Sequence, residues 1–101
     1  GGDIAKAIVC GADAVMIGSP LAAAEEAPGR GYHWGMGAVH RSLPRGGRTR
    51  VGELGTLAEV LVGPSSNGDG RRNLLGSVRR AMAMTGHATL KEFQKADLVV
   101  R

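Results

Sequence analysis

The 101-residue sequence has few aromatic residues, one cysteine and no long apolar run. Its aromatic residues are Tyr32, Trp34 and Phe93, so a core must consist mainly of Ala, Val, Leu, Ile and Met. The single Cys10 excludes an internal disulfide bond, which is typical of a reducing compartment or of a chain that needs no bridges. No run approaches the roughly 18 apolar residues of a membrane span. We therefore expect a cytoplasmic protein with no membrane partner.

Glycine, by contrast, is abundant, with 17 residues in the chain, well above the usual ~7%. This abundance indicates many tight turns or close backbone approaches. A chain of this length buries only about 60–65% of its unfolded surface, and this one begins at Gly1 without an initiator methionine. We expect a fragment of a larger fold or part of an obligate assembly.

The formal net charge of +4 is modest, and the basic residues lie in separate clusters. The arginines of the second half have no aromatic residues between them on which bases could stack, so we expect no nucleic-acid partner. The three histidines, His33, His40 and His87, lack the spacing of metal ligands, so we expect no metal site.

The start of the chain has the pattern of a helix, a turn and a buried strand. Apolar residues at helical spacing predict a helix over 3–10, with Asp3 as its N-cap and Gly11 as its stop. Residues 14–17 are continuously apolar, which is typical of a strand buried on both faces of a parallel sheet. Cys10 is expected to be a packed core thiol rather than a nucleophile.

Gly18 and Ser19 follow this strand and precede a second predicted helix over 21–27, with Ser19 as N-cap and Pro20 at its first position. A strand that ends in Gly-Ser directs backbone N–H groups, a hydroxyl and the positive end of a helix to one point, which is the geometry of an anion-binding turn. An ordinary strand-to-helix turn with a serine cap is the alternative.

Residues 29–52 show no sustained periodicity and are predicted to form a flap-like loop. Within it, segment 31–37 holds two of the three aromatic residues and three glycines, and could close over a purine or pyrimidine ring or serve as a structural loop. The arginines of the flap could clamp a phosphate or a ribose, or form a solvated basic surface: Arg41, Arg45, Arg48 and Arg50.

The second half of the chain is predicted to be mainly helical. A short helix is expected over 56–62, an amphipathic helix over 72–84 that stops at Gly86, and a helical turn over 90–95. A short strand is expected over 97–100.

Two stretches resemble the inosine monophosphate (IMP) dehydrogenase and GMP reductase family. The first lies within residues 2–29 and includes the runs Gly-Asp-Ile-Ala-Lys-Ala, Gly-Ala-Asp-Ala-Val-Met-Ile-Gly-Ser and Glu-Ala-Pro-Gly. The second includes residues 74–82, Gly86, 90–93 and 97–100. The resemblance implies an α/β fold in which residues 1–101 form the C-terminal portion of a (β/α)8 TIM barrel, with the site at the carboxyl face.

The same resemblance implies the roles of individual residues toward a purine mononucleotide, IMP or GMP. Gly18 and Ser19 would bind the 5′-phosphate, Tyr32 would add a phosphate contact, and the base would be lined by Gly35, Met36 and Gly37. The cofactor would be NAD or NADP, and the assembly a homotetramer. The family's catalytic cysteine would precede Gly1, so we expect no catalytic residue in this chain and no activity from it alone.

The sequence departs from the family pattern at three places. His33 and Trp34 create an apparent one-residue insertion before Gly35, residues 40–44 lack the Arg-Tyr pair with which dehydrogenases activate water, and Arg45 replaces an acidic residue or Gln that reads the base. We expect an IMP dehydrogenase-like enzyme that converts IMP to XMP with NAD in guanine nucleotide biosynthesis. The alternatives are a GMP reductase that converts GMP to IMP with NADPH, or a stand-alone phosphate-binding or nucleic-acid-binding module.

Overall fold

A computed structural model describes residues 1–33, 48–65 and 68–101 of the chain. Along these residues it contains five helices and two short strands: α1 (Gly2–Val9), α2 (Ser19–Ala22), β1 (Tyr32–His33), β2 (Thr49–Arg50), α3 (Leu57–Val62), α4 (Leu74–Thr85) and α5 (Leu90–Phe93). The predicted helices over 3–10, 56–62, 72–84 and 90–95 are thus confirmed, with ends displaced by one to two residues.

Local capping signals explain where the helices begin and end. The Thr56 hydroxyl accepts a hydrogen bond from the Glu59 N–H, and the Glu59 carboxylate accepts one from the Thr56 N–H, so α3 begins with a complete capping box. α1 stops before Gly11 and α4 stops at Gly86, which have φ angles of +104° and +76°. Glycine adopts this left-handed region without steric cost, as the sequence predicted.

Two apolar clusters form the core, and α4 contributes to both. Ala5 and Ile8 of α1 pack with Val78 of α4 and with Phe93 of α5, which is 2% exposed. Leu74, one turn before Val78 on the same face of α4, belongs to the second cluster. That cluster is completed by Ala23, Ala24, Leu54 and Val60. α4 therefore connects the first helix of the chain to the region around α2.

The second predicted helix is shorter than expected. It ends at Ala22 instead of continuing to residue 27, because Ala23 and Glu25 form hydrogen bonds to a distant segment. The Ala23 carbonyl accepts from the Leu54 N–H at 2.8 Å, and the Glu25 N–H donates to the Gly55 carbonyl at 2.8 Å. These bonds make a parallel bridge between Ala24 and Gly55, which replaces further helical turns.

The two predicted strands over 14–17 and 97–100 do not form ladders in the described part of the chain. Met16 is 97% exposed, and Val99 and Val100 are 80% and 85% exposed. A strand requires a hydrogen-bonded neighbour, and no other described segment forms a ladder with either run. The expectation of a strand buried on both faces was therefore wrong for this chain taken by itself.

Cys10 is also placed differently from its prediction. It is the C-cap of α1 and is exposed, because the apolar face of the helix that packs against α4 is formed by Ala5 and Ile8. Asp3 lies in the first turn of α1 and does not cap it, since the helix begins one residue earlier than predicted.

The ends of the predicted flap pair with each other. Tyr32 lies opposite Arg50 and His33 opposite Thr49 in an antiparallel ladder. The Gly31 carbonyl extends this contact by accepting from the N–H groups of Val51 and Gly52. The base of the loop over 29–52 is thus an ordered hairpin stem, whereas residues 34–47 lie outside the described part of the chain.

Candidate functional site

The turn at Gly18 and Ser19 opens α2. Gly18 is the N-cap, with its carbonyl accepting from the N–H groups of Leu21 and Ala22 at 3.1 and 3.0 Å. Ser19 is the first helical residue, and Pro20 follows it. The prediction that Ser19 caps the helix was therefore wrong: the backbone of Gly18 takes that place, and no side chain caps α2. The Ser19 hydroxyl is exposed and is not occupied by a capping bond.

The side chain that meets this turn is His33. Its Nδ1 lies 3.3 Å from the Ser19 Oγ, within hydrogen-bond distance. Its ring also covers Gly18, because a Cβ atom at that position would lie 2.9 Å from the His33 Cε1 atom. A larger residue at position 18 would therefore require the imidazole to shift from its present place.

A cleft of about 440 Å³ borders Ser19. Arg50 of β2 and Arg71 of the loop before α4 contribute to its wall, together with Asp3 and Asp69. The Asp69 carboxylate accepts from the Arg71 N–H at 3.0 Å, which orders that loop. A cleft lined by arginines and an exposed hydroxyl suits an anionic ligand such as a phosphate, because hydroxyl and guanidinium groups are hydrogen-bond donors.

Tyr32 lines a neighbouring cleft of about 510 Å³ instead of the cleft at Ser19. Successive side chains of a strand point to opposite faces, so Tyr32 and His33 diverge. The Arg48 guanidinium lies over the Tyr32 ring, 4.7 Å from its centroid, in a cation–π contact. Arg50 borders both clefts and connects them.

The structure thus adds His33 to the turn at Gly18 and Ser19, and it places Arg50 on the wall of the adjacent cleft. From the sequence, His33 was considered only as a metal ligand and as part of an insertion, whereas Arg50 was already one of four loop arginines that could clamp a phosphate or a ribose. The predicted base-lining residues lie within 34–47, outside the described residues: Gly35, Met36 and Gly37. No cluster of three or more His, Cys, Asp or Glu side chains suited to a metal ion occurs in the described ranges.

Comparison with known proteins identifies the family. The model of the IMP dehydrogenase / GMP reductase domain matches residues 1–101. The chain therefore belongs to the IMP dehydrogenase / GMP reductase family, and its relatives are oxidoreductases. A crystal structure of an IMP dehydrogenase/GMP reductase-like protein from Corynebacterium glutamicum superposes with a TM-score of 0.86 at 48% identity, covering 99% of this chain and 27% of that one.

Curated relatives fall into two groups. Uncharacterised oxidoreductases of Mycobacterium leprae and Mycobacterium tuberculosis are each 54% identical over 101 residues, covering 98% of this chain and 27% of theirs. Inosine-5′-monophosphate dehydrogenase of Escherichia coli is 37% identical over 117 residues, covering 97% of this chain and 24% of the dehydrogenase. The chain thus spans about a quarter of the length of these relatives.

The alignment with the Escherichia coli dehydrogenase is longer than this chain. It extends over 117 positions although this chain has 101 residues, so the Escherichia coli dehydrogenase has additional residues inside the matched region. The mycobacterial oxidoreductases align over 101 positions.

No helix within the described ranges has both the length and the apolar composition needed to cross a membrane.

Proposed function

We propose that this chain supplies the phosphate-binding part of a purine-nucleotide oxidoreductase, an IMP dehydrogenase-like enzyme that converts IMP to XMP with NAD. The observation that carries the proposal is the family match over the whole chain, joined to a Gly18–Ser19 turn with an exposed hydroxyl. In this proposal residues 1–101 close a (β/α)8 barrel. The unpaired run over 14–17 then pairs with barrel strands, and the turn lies at its carboxyl end.

Exposed apolar side chains support the barrel. Met16, Val99 and Val100 are each at least 80% exposed, and such residues are otherwise typical of a strand interior. The similarity to about a quarter of a longer chain agrees with this placement. Neighbouring strands would cover both runs, and the same burial would order the turn that follows residue 17.

The donors at the turn fit a phosphate group. In the proposed complex the Ser19 hydroxyl donates to a phosphate oxygen, and Arg50 neutralises part of the negative charge. The family resemblance further implies a phosphate contact for Tyr32 and a base lining formed by Gly35, Met36 and Gly37. The described residues present no comparable set of groups for a nicotinamide ring, so we assign NAD or NADP to the whole protein and derive no hydride step from this chain.

A GMP reductase is the second candidate, and one departure from the family pattern favours it. A dehydrogenase adds the oxygen of a water molecule to IMP, whereas a reductase releases ammonia from GMP and adds no water. Residues 40–44 lack the Arg-Tyr pair that the resemblance assigns to water activation in dehydrogenases, which agrees with a reaction that adds no water. In this case GMP and NADPH replace IMP and NAD.

The assay that separates these functions uses the full-length protein. It is mixed with IMP and NAD, or with GMP and NADPH, while the absorbance of reduced nicotinamide is followed. A rise with the first pair identifies a dehydrogenase, and a fall with the second identifies a reductase. Absence of turnover with both pairs, together with absence of IMP and GMP binding by calorimetry, would contradict the proposal and favour a stand-alone binding module.

A cytoplasmic homotetramer is part of the same proposal. Analytical sedimentation of the full-length protein tests the assembly.

A further inference from the structure

We propose that His33 is a positioning residue that directs the Ser19 hydroxyl toward the nucleotide phosphate. It does so by donating its Nδ1–H to the Ser19 Oγ, which leaves the hydroxyl proton available to a phosphate oxygen. This inference rests on the proposed function. It adds a residue that acts through Ser19 and touches no reacting atom.

The geometry places His33 where it can do this. The Nδ1 and Oγ atoms are 3.3 Å apart, and His33 is partly buried whereas Ser19 is exposed. Two contacts hold His33 in place. Its backbone pairs with Thr49 in the hairpin stem, and the Cε1 atom of its ring lies against Gly18. No other hydrogen bond of the Ser19 hydroxyl is formed with residues in the described ranges.

The number of protons on the hydroxyl decides the direction of the bond. A serine hydroxyl has one proton to donate and can also accept, whereas a phosphate oxygen that carries the negative charge accepts. When the Ser19 hydroxyl donates its hydrogen bond to the phosphate, the Oγ atom can only accept a hydrogen bond from His33. The Nδ1 atom must then carry a proton, so phosphate binding selects the Nδ1-protonated state of the ring.

The contact also connects two parts of the site that are separate in the sequence. Ser19 belongs to the turn before α2, and His33 belongs to the stem of the loop that extends over 29–52. Phosphate bound at Ser19 would therefore stabilise the His33 side of the stem. Relative to the family pattern that this sequence resembles, the apparent one-residue insertion at His33 and Trp34 lies directly at this contact.

The test uses IMP and GMP as probes and full-length protein, with binding measured by calorimetry and KM by the nicotinamide assay. We expect His33→Leu to weaken binding of the nucleotide about tenfold. His33→Asn should bind within about threefold of the parent protein, because the Asn amide can donate from near the Nδ1 position. We expect KM to rise and kcat to change little, since a phosphate contact is shared by ground and transition states.

Two controls separate positioning from stability. In a Ser19→Ala background, His33→Leu should have no further effect on nucleotide binding, because the residue through which it acts is gone. His87→Asn is the matched control: His87 Nδ1 lies 2.8 Å from the Thr85 Oγ1, a histidine–hydroxyl pair remote from the turn. That variant should leave nucleotide affinity unchanged. Inosine lacks the phosphate, so the affinity for inosine should be unchanged in every variant.

The outcomes distinguish this inference from the proposed function. If the parent protein binds neither IMP nor GMP, both are overturned. If it binds nucleotide and Ser19→Ala weakens binding, but His33→Leu does not, only the positioning role is overturned. Equal losses in His33→Leu and His33→Asn, or additive effects of the Ser19 and His33 substitutions, would also contradict it.

Discussion

Gln94 donates a hydrogen bond to Asp13 across 81 residues of sequence, with its Nε2 atom 3.0 Å from the Asp13 Oδ1. The same nitrogen donates to the Ala12 carbonyl at 2.9 Å. Lys91 adds an exposed ion pair to Asp13, with 3.5 Å between the Nζ and Oδ1 atoms. The residue that follows α5 is thereby tied to the loop that leads from α1 to the turn at Gly18 and Ser19.

The first prediction concerns the acid sensitivity of this contact. The Gln94 hydrogen bond lowers the pKa of Asp13 from its ordinary value, and Lys91 lowers it further. Because the folded-state pKa is depressed, the stabilisation is present above the unfolded pKa, about 3.9, and is lost as pH falls through the folded-state value. Asp13→Asn should therefore reduce the change of melting temperature between pH 5 and 3. Since the carboxylate is exposed, the effect should be small. An identical pH profile for parent and variant would contradict the assignment.

The second prediction concerns the Ser19 hydroxyl. Ser19→Ala removes a donor to the phosphate and should raise KM for the nucleotide about tenfold or more, with a smaller change in kcat. Melting temperature should be unchanged, because this hydroxyl does not cap α2. Ser19→Thr retains the hydroxyl and is the matched control. An unchanged KM in Ser19→Ala would remove Ser19 from the phosphate site.

The third prediction concerns the contact between Gly18 and the imidazole. Gly18→Ala places a methyl group 2.9 Å from the His33 Cε1 atom, so the ring must shift and its contact with Ser19 should weaken. We expect weaker nucleotide binding and little loss of stability. Gly2→Ala is the control, since a Cβ there meets nothing within 4 Å. Full affinity in Gly18→Ala would show that neither a ligand nor His33 needs this close approach.

The fourth prediction concerns the core cluster around Phe93. Phe93→Ala should destabilise the protein by about 3–5 kcal/mol, because it removes a ring that is 2% exposed between α1, α4 and α5. Leu90→Ala, on the same short helix but 52% exposed, should cost much less. Chemical denaturation of the full-length protein measures both. Similar losses for the two variants would contradict the packing of α5.

The start of α3 and the end of α4 were predicted correctly because the signals for them are local. α3 begins at a Thr56–Glu59 capping box, and α4 ends at Gly86, because each signal acts through backbone groups within one helical turn. The strands predicted over residues 14–17 and 97–100, by contrast, form no ladder in the described part of the chain. Their composition is that of strands, but strand pairing depends on a neighbour that the pattern of a single segment does not contain.

The sequence by itself determined four of the five helices in the described residues, the place of the turn at Gly18 and Ser19, and the membership of the IMP dehydrogenase / GMP reductase family. Only the tertiary structure decided what surrounds that turn. The His33 imidazole reaches Ser19 because the ends of the loop pair as a hairpin stem, and Arg50 reaches the same cleft through that stem. The physical reason is that a cap or a turn is set by neighbouring backbone groups, whereas a site is set by side chains that hydrogen bonds between distant segments bring together.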